Sequence, residues 1–183
     1  LETAHFLVRG IPSYVGSKHQ ATFETWNAVL KTAESVRTGS AQAKIDFSSL
    51  SPEEVKSKRG GRHIETMAAG RELVARYDFS SYRTLVDVGG GSGGVAIAIT
   101  EACPHIQVTV ADLPNVVPAT RSFLEEAGAA ERVQVVEADA LEGSLTGPYD
   151  VAVLRNFIQV LSPSQARLVF RNVSQAIKPG GAI

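Results

Sequence analysis

The sequence predicts an α/β fold: a parallel sheet with right-handed helical crossovers, preceded by a helical segment. Three observations carry this expectation. From about residue 82 onward, short β-branched runs alternate with helical stretches, the pattern of consecutive βαβ units. A glycine cluster, Gly89-Gly90-Gly91-Ser92-Gly93-Gly94, stands between the first run and its helix. Residues 1–80, by contrast, carry helical spacing and helix punctuation. The expected division is therefore a helical segment over 1–80 and an α/β unit over 81–183.

In the first segment, Phe23, Trp26, Leu30 and Ala33 fall at helical spacing, and Gly39 follows as a stop, which reads as a packing helix or the wall of a substrate pocket. Ser51-Pro52-Glu53-Glu54 is a capping box with proline at the first helical position. Gly60-Gly61 interrupts that helix, and a second helical stretch runs from about Arg62 to Tyr77. Thr84–Val88 is the first strand, followed by an apolar helix from about Gly93 to Cys103. Gln107–Ala111 is the second strand, with a helix from Pro114 to about Ala127 stopped by Gly128. Val133–Glu137 and Tyr149–Leu154 are the third and fourth strands. Ser162-Pro163-Ser164-Gln165 is another capping box, opening a helix with Ala166, Val169, Phe170, Val173 and Ile177 on one face. Lys178-Pro179-Gly180-Gly181 reads as a stop before a strand that would begin at Ala182-Ile183. The chain opens on Leu1 without a secretory signal pattern. A fragment of a longer protein is expected, the alternative being an unusual small protein complete in itself.

Composition bounds the function. The 183 residues are 44% apolar and 20% charged, ample for a core and unlike a disordered chain. Lysine plus arginine is 18 and aspartate plus glutamate is 19, a net charge of −1. Such a balance gives no global reason to hold nucleic acid or an anionic membrane. No apolar run reaches the roughly 18–20 residues that span a bilayer. Cys103 is the sole cysteine, so no intramolecular disulfide forms, in keeping with a reducing, cytoplasmic setting.

In parallel sheets ligands bind beyond the carboxyl ends of the strands, near the reversal of strand order. Glycines there let a ligand approach the backbone, and the following helix directs its free N–H groups at it. Gly89, Gly91 and Gly94 satisfy G-x-G-x-x-G, and Asp112 lies after the second strand, where an acid would grip ribose hydroxyls. NAD and S-adenosylmethionine both fit so far. Asp87 tilts the balance. An acid two residues before the first glycine can hold loop amides but would repel phosphates. Asp139 tilts it further: after the third strand, a carboxylate can accept from an adenine amine, with Ala140 against the ring. Asp112 or Asp139 alone could equally be a helix N-cap.

These residues resemble a class I S-adenosylmethionine-dependent methyltransferase, with its Rossmann-like parallel sheet. More closely, they are similar to the small-molecule O-methyltransferases that include caffeic acid, acetylserotonin and hydroxyneurosporene enzymes. The matching stretches are Leu85–Gly93, Asp112-Leu113-Pro114, Glu137–Ala140, Leu154-Arg155-Asn156-Phe157 and Lys178–Gly181. The resemblance implies cofactor contacts from Asp87, Gly89, Gly91, Asp112, Leu113, Asp139, Ala140 and Arg155. Arg155 stands where the family usually has lysine, keeping the charge but not the geometry; a surface ion pair is the bland alternative. The resemblance also implies a small-molecule acceptor and a homodimer formed through an N-terminal dimerisation domain absent from this chain. It further implies about three missing strands, with the fourth strand or a stub of the fifth left at the edge.

One position departs from the family. Gln159 stands where the catalytic histidine would be, and Val160 replaces the acid after it. A general base contributes about 10²–10⁴ in rate. A simple phenol, pKa about 10, is roughly 0.1% ionised at neutral pH, so a baseless enzyme loses about three decades on it. It loses little on a carboxylate or an acidic hydroxyl. The expectation is methyl transfer driven by alignment and desolvation, with Gln159 positioning the acceptor. Of the histidines His5, His19, His63 and His105, only His63 is placed to enter an acceptor pocket as a substitute base; an exposed helix position is the alternative. No pair has metal-ligand spacing, and nucleophile-elbow, P-loop and zinc motifs are absent from the sequence. Two rival readings remain open: a non-catalytic or repurposed cofactor binder, favoured by Gln159, and an NAD(P)-dependent oxidoreductase, favoured by the glycine spacing.

Overall fold

The computed structural model describes residues 2–8, 14, 16, 25–26, 28–43, 46–143 and 145–183. Helices α1 (Glu2–Phe6) and α2 (Thr32–Thr38) precede a 3-10 turn at Phe47–Ser49. Then come α3 (Pro52–Gly60), α4 (His63–Arg76), β1 (Thr84–Val88) and α5 (Gly94–Ala102). They are followed by β2 (Gln107–Asp112), α6 (Val117–Glu126), β3 (Val133–Glu137) and β4 (Tyr149–Val153). A 3-10 turn (Ile158–Val160), α7 (Pro163–Gln175) and β5 (Ile177–Ala182) complete the order.

The strands form one parallel sheet in the order β3-β2-β1-β4-β5. The reversal falls between β1 and β4, where a crevice opens at the carboxyl ends. Side chains alternate across β1: Leu85 joins Val95, Ile97, Val108 and Leu124 on one face, while Val86 and Val88 join Ala152, Val169 and Val173 on the other. Each face buries a helix layer, which is why the strands are almost wholly apolar. A smaller cluster of Val55, Val116 and Ala119 seats α3 on α6. The seat is stapled by Lys56, whose Nζ meets Glu126 at 2.6 Å and Ser122 at 2.7 Å.

Both capping boxes form. Ser51 Oγ accepts from Glu54 N and Glu54 returns to Ser51 N, and Ser162 pairs with Gln165 in the same way. Gly39 caps α2 in the left-handed region at φ 66°. Helix α4 lies close on α5 because Gly70 has no side chain; a Cβ there would meet Ala98 Cβ at 2.7 Å and Val95 Cα at 3.0 Å. At the sheet's amino end, the Asp150 carboxylate accepts from the Arg83 and Thr84 amides and pairs with Lys178 at 2.7 Å, which holds its pKa well below the usual carboxylate range.

Three expectations are corrected. Trp26, Leu30 and Ala33 are exposed and α2 buries no side chain, so this segment packs no apolar face against the other described residues, whose helices already cover the sheet. Phe23 lies outside the described residues. On α7, Val169 and Val173 are buried but Phe170 is 45% exposed, since it sits about 100° round from Val169. The helix ends at Gln175, so Ile177 belongs to β5 instead. Lys178–Gly181 is not a stop before a strand but the middle of one: Ile177 pairs with Tyr149 and Ala182 with Val151, and the extra residues bulge out around Gly180 at φ 82°.

Candidate functional site

Parallel register brings the expected residues to one edge. Val88 lies beside Ala111, Asp112 beside Glu137, and Asp87 beside Val153. Gly89, Leu113, Asp139 and Arg155 therefore all fall within two residues of their strand ends. The ladder runs on past them, Gly89 N donating to Ala111 O and Ala138 N to Asp112 O.

The glycine loop crosses the left-handed region three times, at Gly89, Gly91 and Gly93, with φ of 67°, 58° and 69°. That path suits glycine and strains other residues. It is held from outside by Asp112, whose Oδ2 accepts the Gly91 amide at 2.8 Å and whose Oδ1 accepts the Leu113 amide at 2.9 Å. Thr120 Oγ1 donates to Gly91 O at 2.6 Å from the opposite side. Helix α5 begins after Gly93 with no side chain capping it, which leaves its first N–H groups without an intrahelical partner.

Asp87 does not hold loop amides, contrary to expectation. It lies beneath Gly90, where a Cβ would stand 2.6 Å from its Oδ2, and the turned loop carries the Gly91 amide outward to Asp112. Asp87 is 1% exposed and its Oδ2 has no hydrogen-bond partner. Burial, with the Asp112 charge beside it, pushes its carboxyl up to about 7 against a downward pull from Arg155. Burial also raises Asp112, opposed by the two amides and by the Arg59 charge.

Asp139 is half-buried and its Oδ1 accepts the Leu141 amide at 2.8 Å. Both acids thus bind backbone amides, but neither caps a helix: α6 starts at Val117 behind Val116, and Asp139 is followed by a turn. Ala140 is buried in the apolar cluster on the α7 face, and its carbonyl takes Asn172 Nδ2. Arg155 makes no ion pair among the described residues; its charge acts on Asp87. Gln159 is exposed, on the 3-10 turn after β4, and its Nε2 donates to Asn156 Oδ1 at 3.3 Å. His63 is half-buried instead of exposed: it stacks on Phe123 of α6 at 5.2 Å, and burial lowers its pKa. His105 lies 3.3 Å from Phe79 O, while His19 and the His5 side chain lie outside the described residues. Among the described residues no cluster of His, Cys, Asp or Glu is arranged to hold a metal ion.

The O-methyltransferase domain model matches residues 25–183. The chain belongs to the O-methyltransferase domain family. This O-methyltransferase domain is 29% identical over 190 residues to 3-hydroxy-5-methyl-1-naphthoate 3-O-methyltransferase of Streptomyces sahachiroi, covering 98% of the chain and 54% of that protein. It is 33% identical over 129 residues to acetylserotonin O-methyltransferase of Mus musculus, covering 68% and 33%. The solved structure of PigF with SAH matches at a TM-score of 0.81 and 26% identity, over 99% of this chain and 58% of that one. The domain spans about half the length, or less, of these relatives.

Sequence reasoning missed several residues of the crevice. Phe157 covers Gly89, where a Cβ would lie 3.0 Å from its ring. Arg59 of α3 lies across Gly91, and Phe47 lies against Arg59. Asn115 pins the Phe47 turn by donating to Phe47 O at 2.6 Å and Leu50 O at 2.8 Å. Phe157, at the end of the Leu154–Phe157 stretch, and Asn115, next to the Asp112-Leu113-Pro114 motif, carried a sequence signal; Arg59 and Phe47 meet the loop from distant segments.

Proposed function

We propose that this domain binds S-adenosylmethionine and transfers its methyl group to an oxygen of a small aromatic or polyketide-like molecule. The carrying observation is Asp87: a buried carboxylate directly beneath the glycine loop, whose Oδ2 has no hydrogen-bond partner. A dinucleotide's diphosphate laid on that loop would face a like charge, whereas a sulfonium amino acid brings positive charge to it. When bound, S-adenosylmethionine supplies an electrophilic methyl on a cationic sulfur.

In this reading Gly89 and Gly91 admit the ligand against the backbone, and Leu113 walls the crevice beside them. Asp112 takes the ribose hydroxyls, and Asp139 the adenine amine. Ala140 backs the adenine side, and Arg155 tunes Asp87. The acceptor oxygen approaches in line from the β4 side, where Phe157 excludes water and the Gln159 amide orients it by a hydrogen bond. The acceptor's proton leaves to solvent, because Gln159 takes none. Acidic hydroxyls and carboxylates are the favoured acceptors.

Gln159 also favours a second reading, a family member that holds the cofactor without transferring its methyl. Following methyl-labelled S-adenosylmethionine into any acceptor separates the two. Calorimetry with SAH against NAD tests the cofactor itself: SAH binding without NAD binding supports the reading, and the reverse overturns it. We further read residues 1–80 as a helical segment serving 81–183, the cofactor-binding unit, and the whole protein as a cytoplasmic homodimer. Lone, buried Cys103 supports the reducing setting, and among the described residues no helix is long and apolar enough to cross a membrane. The size of the parent protein in solution tests the dimer.

A further inference from the structure

Resting on the S-adenosylmethionine reading above, we propose that the ring of Phe157 recognises the charged sulfur of the cofactor, so that the site tells the methyl donor from its spent product. The order of the strands places that sulfur. Along the crevice edge the sheet runs β3-β2-β1-β4, with neighbouring strands about 4.8 Å apart. Adenine is assigned to Asp139 after β3, and ribose to Asp112 at the end of β2. The next step along the edge is β1 and β4, where Gly89 follows β1 and Phe157 comes after β4. The sulfur, next to the ribose in the ligand, belongs at this pair.

The pair is closely set. A Cβ on Gly89 would stand 3.0 Å from Phe157 Cδ2 and 3.2 Å from its Cγ. The ring is half-buried against the apolar cluster that holds Val86, Val88 and Ala152. Among the described residues no other ring and no cation is stacked on it. An aliphatic side chain would exclude water equally well, but only a ring face attracts an onium charge, and most strongly where water is excluded. Asp87, buried beneath the adjacent Gly90, adds a negative group on the strand side of the loop. SAH keeps the shape of the donor without the charge on sulfur, and it loses this attraction.

The ring is aimed by its neighbour. Asn156 has φ 54° and is the one non-glycine residue in the left-handed region among the described residues. Asparagine tolerates that conformation, whereas β-branched residues resist it. The reversal at Asn156 turns Phe157 over Gly89 directly after Arg155, whose charge acts on Asp87. Gln159 Nε2 donates to Asn156 Oδ1 at 3.3 Å, and Val160 N to Phe157 O at 3.3 Å, which ties the turn down. Backbone held in a sparsely populated conformation beside a ligand site is a recurring way to fix a contact.

The test uses the full 183-residue chain and calorimetry with S-adenosylmethionine and SAH at one pH, about 8, above the Asp87 value of about 7. Phe157→Leu should weaken S-adenosylmethionine by roughly two- to thirtyfold more than SAH, the range of one cation–π contact. Phe157→Tyr, which keeps a ring face, should restore most of the difference. Equal weakening of both ligands, a larger loss for SAH, or no weakening of either overturns the inference while leaving the cofactor reading in place. A wild-type chain that binds neither ligand overturns both. Should circular dichroism show Phe157→Leu unfolded, Asn156→Val supplies the same comparison by turning the ring away: it should weaken S-adenosylmethionine selectively, and an unselective effect overturns the inference.

Discussion

The Gly91 amide and the Asp112 carboxylate are joined at 2.8 Å across 21 residues of chain. One side chain thereby holds the loop's turn, and in the proposed function it also meets the ligand. Asp112→Ala leaves a buried amide without its acceptor, which costs about 1–3 kcal/mol. Urea unfolding of the ligand-free chain should show that loss, and SAH affinity should fall at least about tenfold. Unchanged stability would mean that the loop holds its shape without Asp112.

Asp87 sets a pH dependence. Its folded pKa, about 7, lies above the unfolded value near 3.9. Between those values the folded state binds a proton that the unfolded state lacks, so stability rises as pH falls from about 7 towards about 4. Above about 7 this contribution is flat. Urea melts from pH 5.5 to 8.5 should show the slope in wild type and its reduction in Asp87→Asn. A cationic ligand favours the ionised form, so S-adenosylmethionine bound at pH 6 should release a proton. Calorimetric heats that depend on buffer ionisation enthalpy would reveal it.

Gln159 is exposed on its turn, so a histidine fits there without repacking the core. Gln159→His should raise turnover on a simple phenol by about ten- to thousandfold, within the range for a restored general base. It should change turnover on a carboxylate or an acidic hydroxyl little. Gln159→Ala should lower turnover on all of them through lost positioning. Full activity in the alanine variant would remove Gln159 from the mechanism.

Gly70 is a packing test. A Cβ there meets Ala98 Cβ at 2.7 Å and the Val95 backbone at 3.0 Å. Gly70→Ala gains helix propensity of about 1 kcal/mol but forces α4 off α5, an overpacking cost of about 1–3 kcal/mol. The melting temperature should fall, and Gly70→Val should lower it further. An alanine variant as stable as wild type would show that the two helices shift apart freely.

What was legible in the sequence is what local physics decides. Thr84–Val88 reads as β1 because an apolar run before glycines allows little else. Ser51 and Ser162 announce α3 and α7 because a capping box closes within four residues. The order of motifs along parallel strands places Gly89, Asp112 and Asp139 at one crevice without further information. Long-range relations were not legible. Phe170 matches the helical stripe, yet the angle of α7 on the sheet leaves it outside. Lys178–Gly181 looks like punctuation, yet the open side of β4 draws it into β5. Arg59 sits beside two glycines in an otherwise polar helix, and only the fold lays it across Gly91. Asp87 stands out in the sequence as an acid just ahead of the glycines, but that its Oδ2 has no partner is a property of three-dimensional packing.

The seam between α4 and α5 has one more implication. Thr66 and the Met67 amide press on Gly94, where a Cβ would meet them at 3.0 and 2.9 Å, so the helix ahead of the sheet leans directly on the head of the helix that follows the glycine loop. Tilting that forerunner by a fraction of an ångström would re-aim the amides at the mouth. Ligand preference in this protein can therefore drift through substitutions that never touch a ligand.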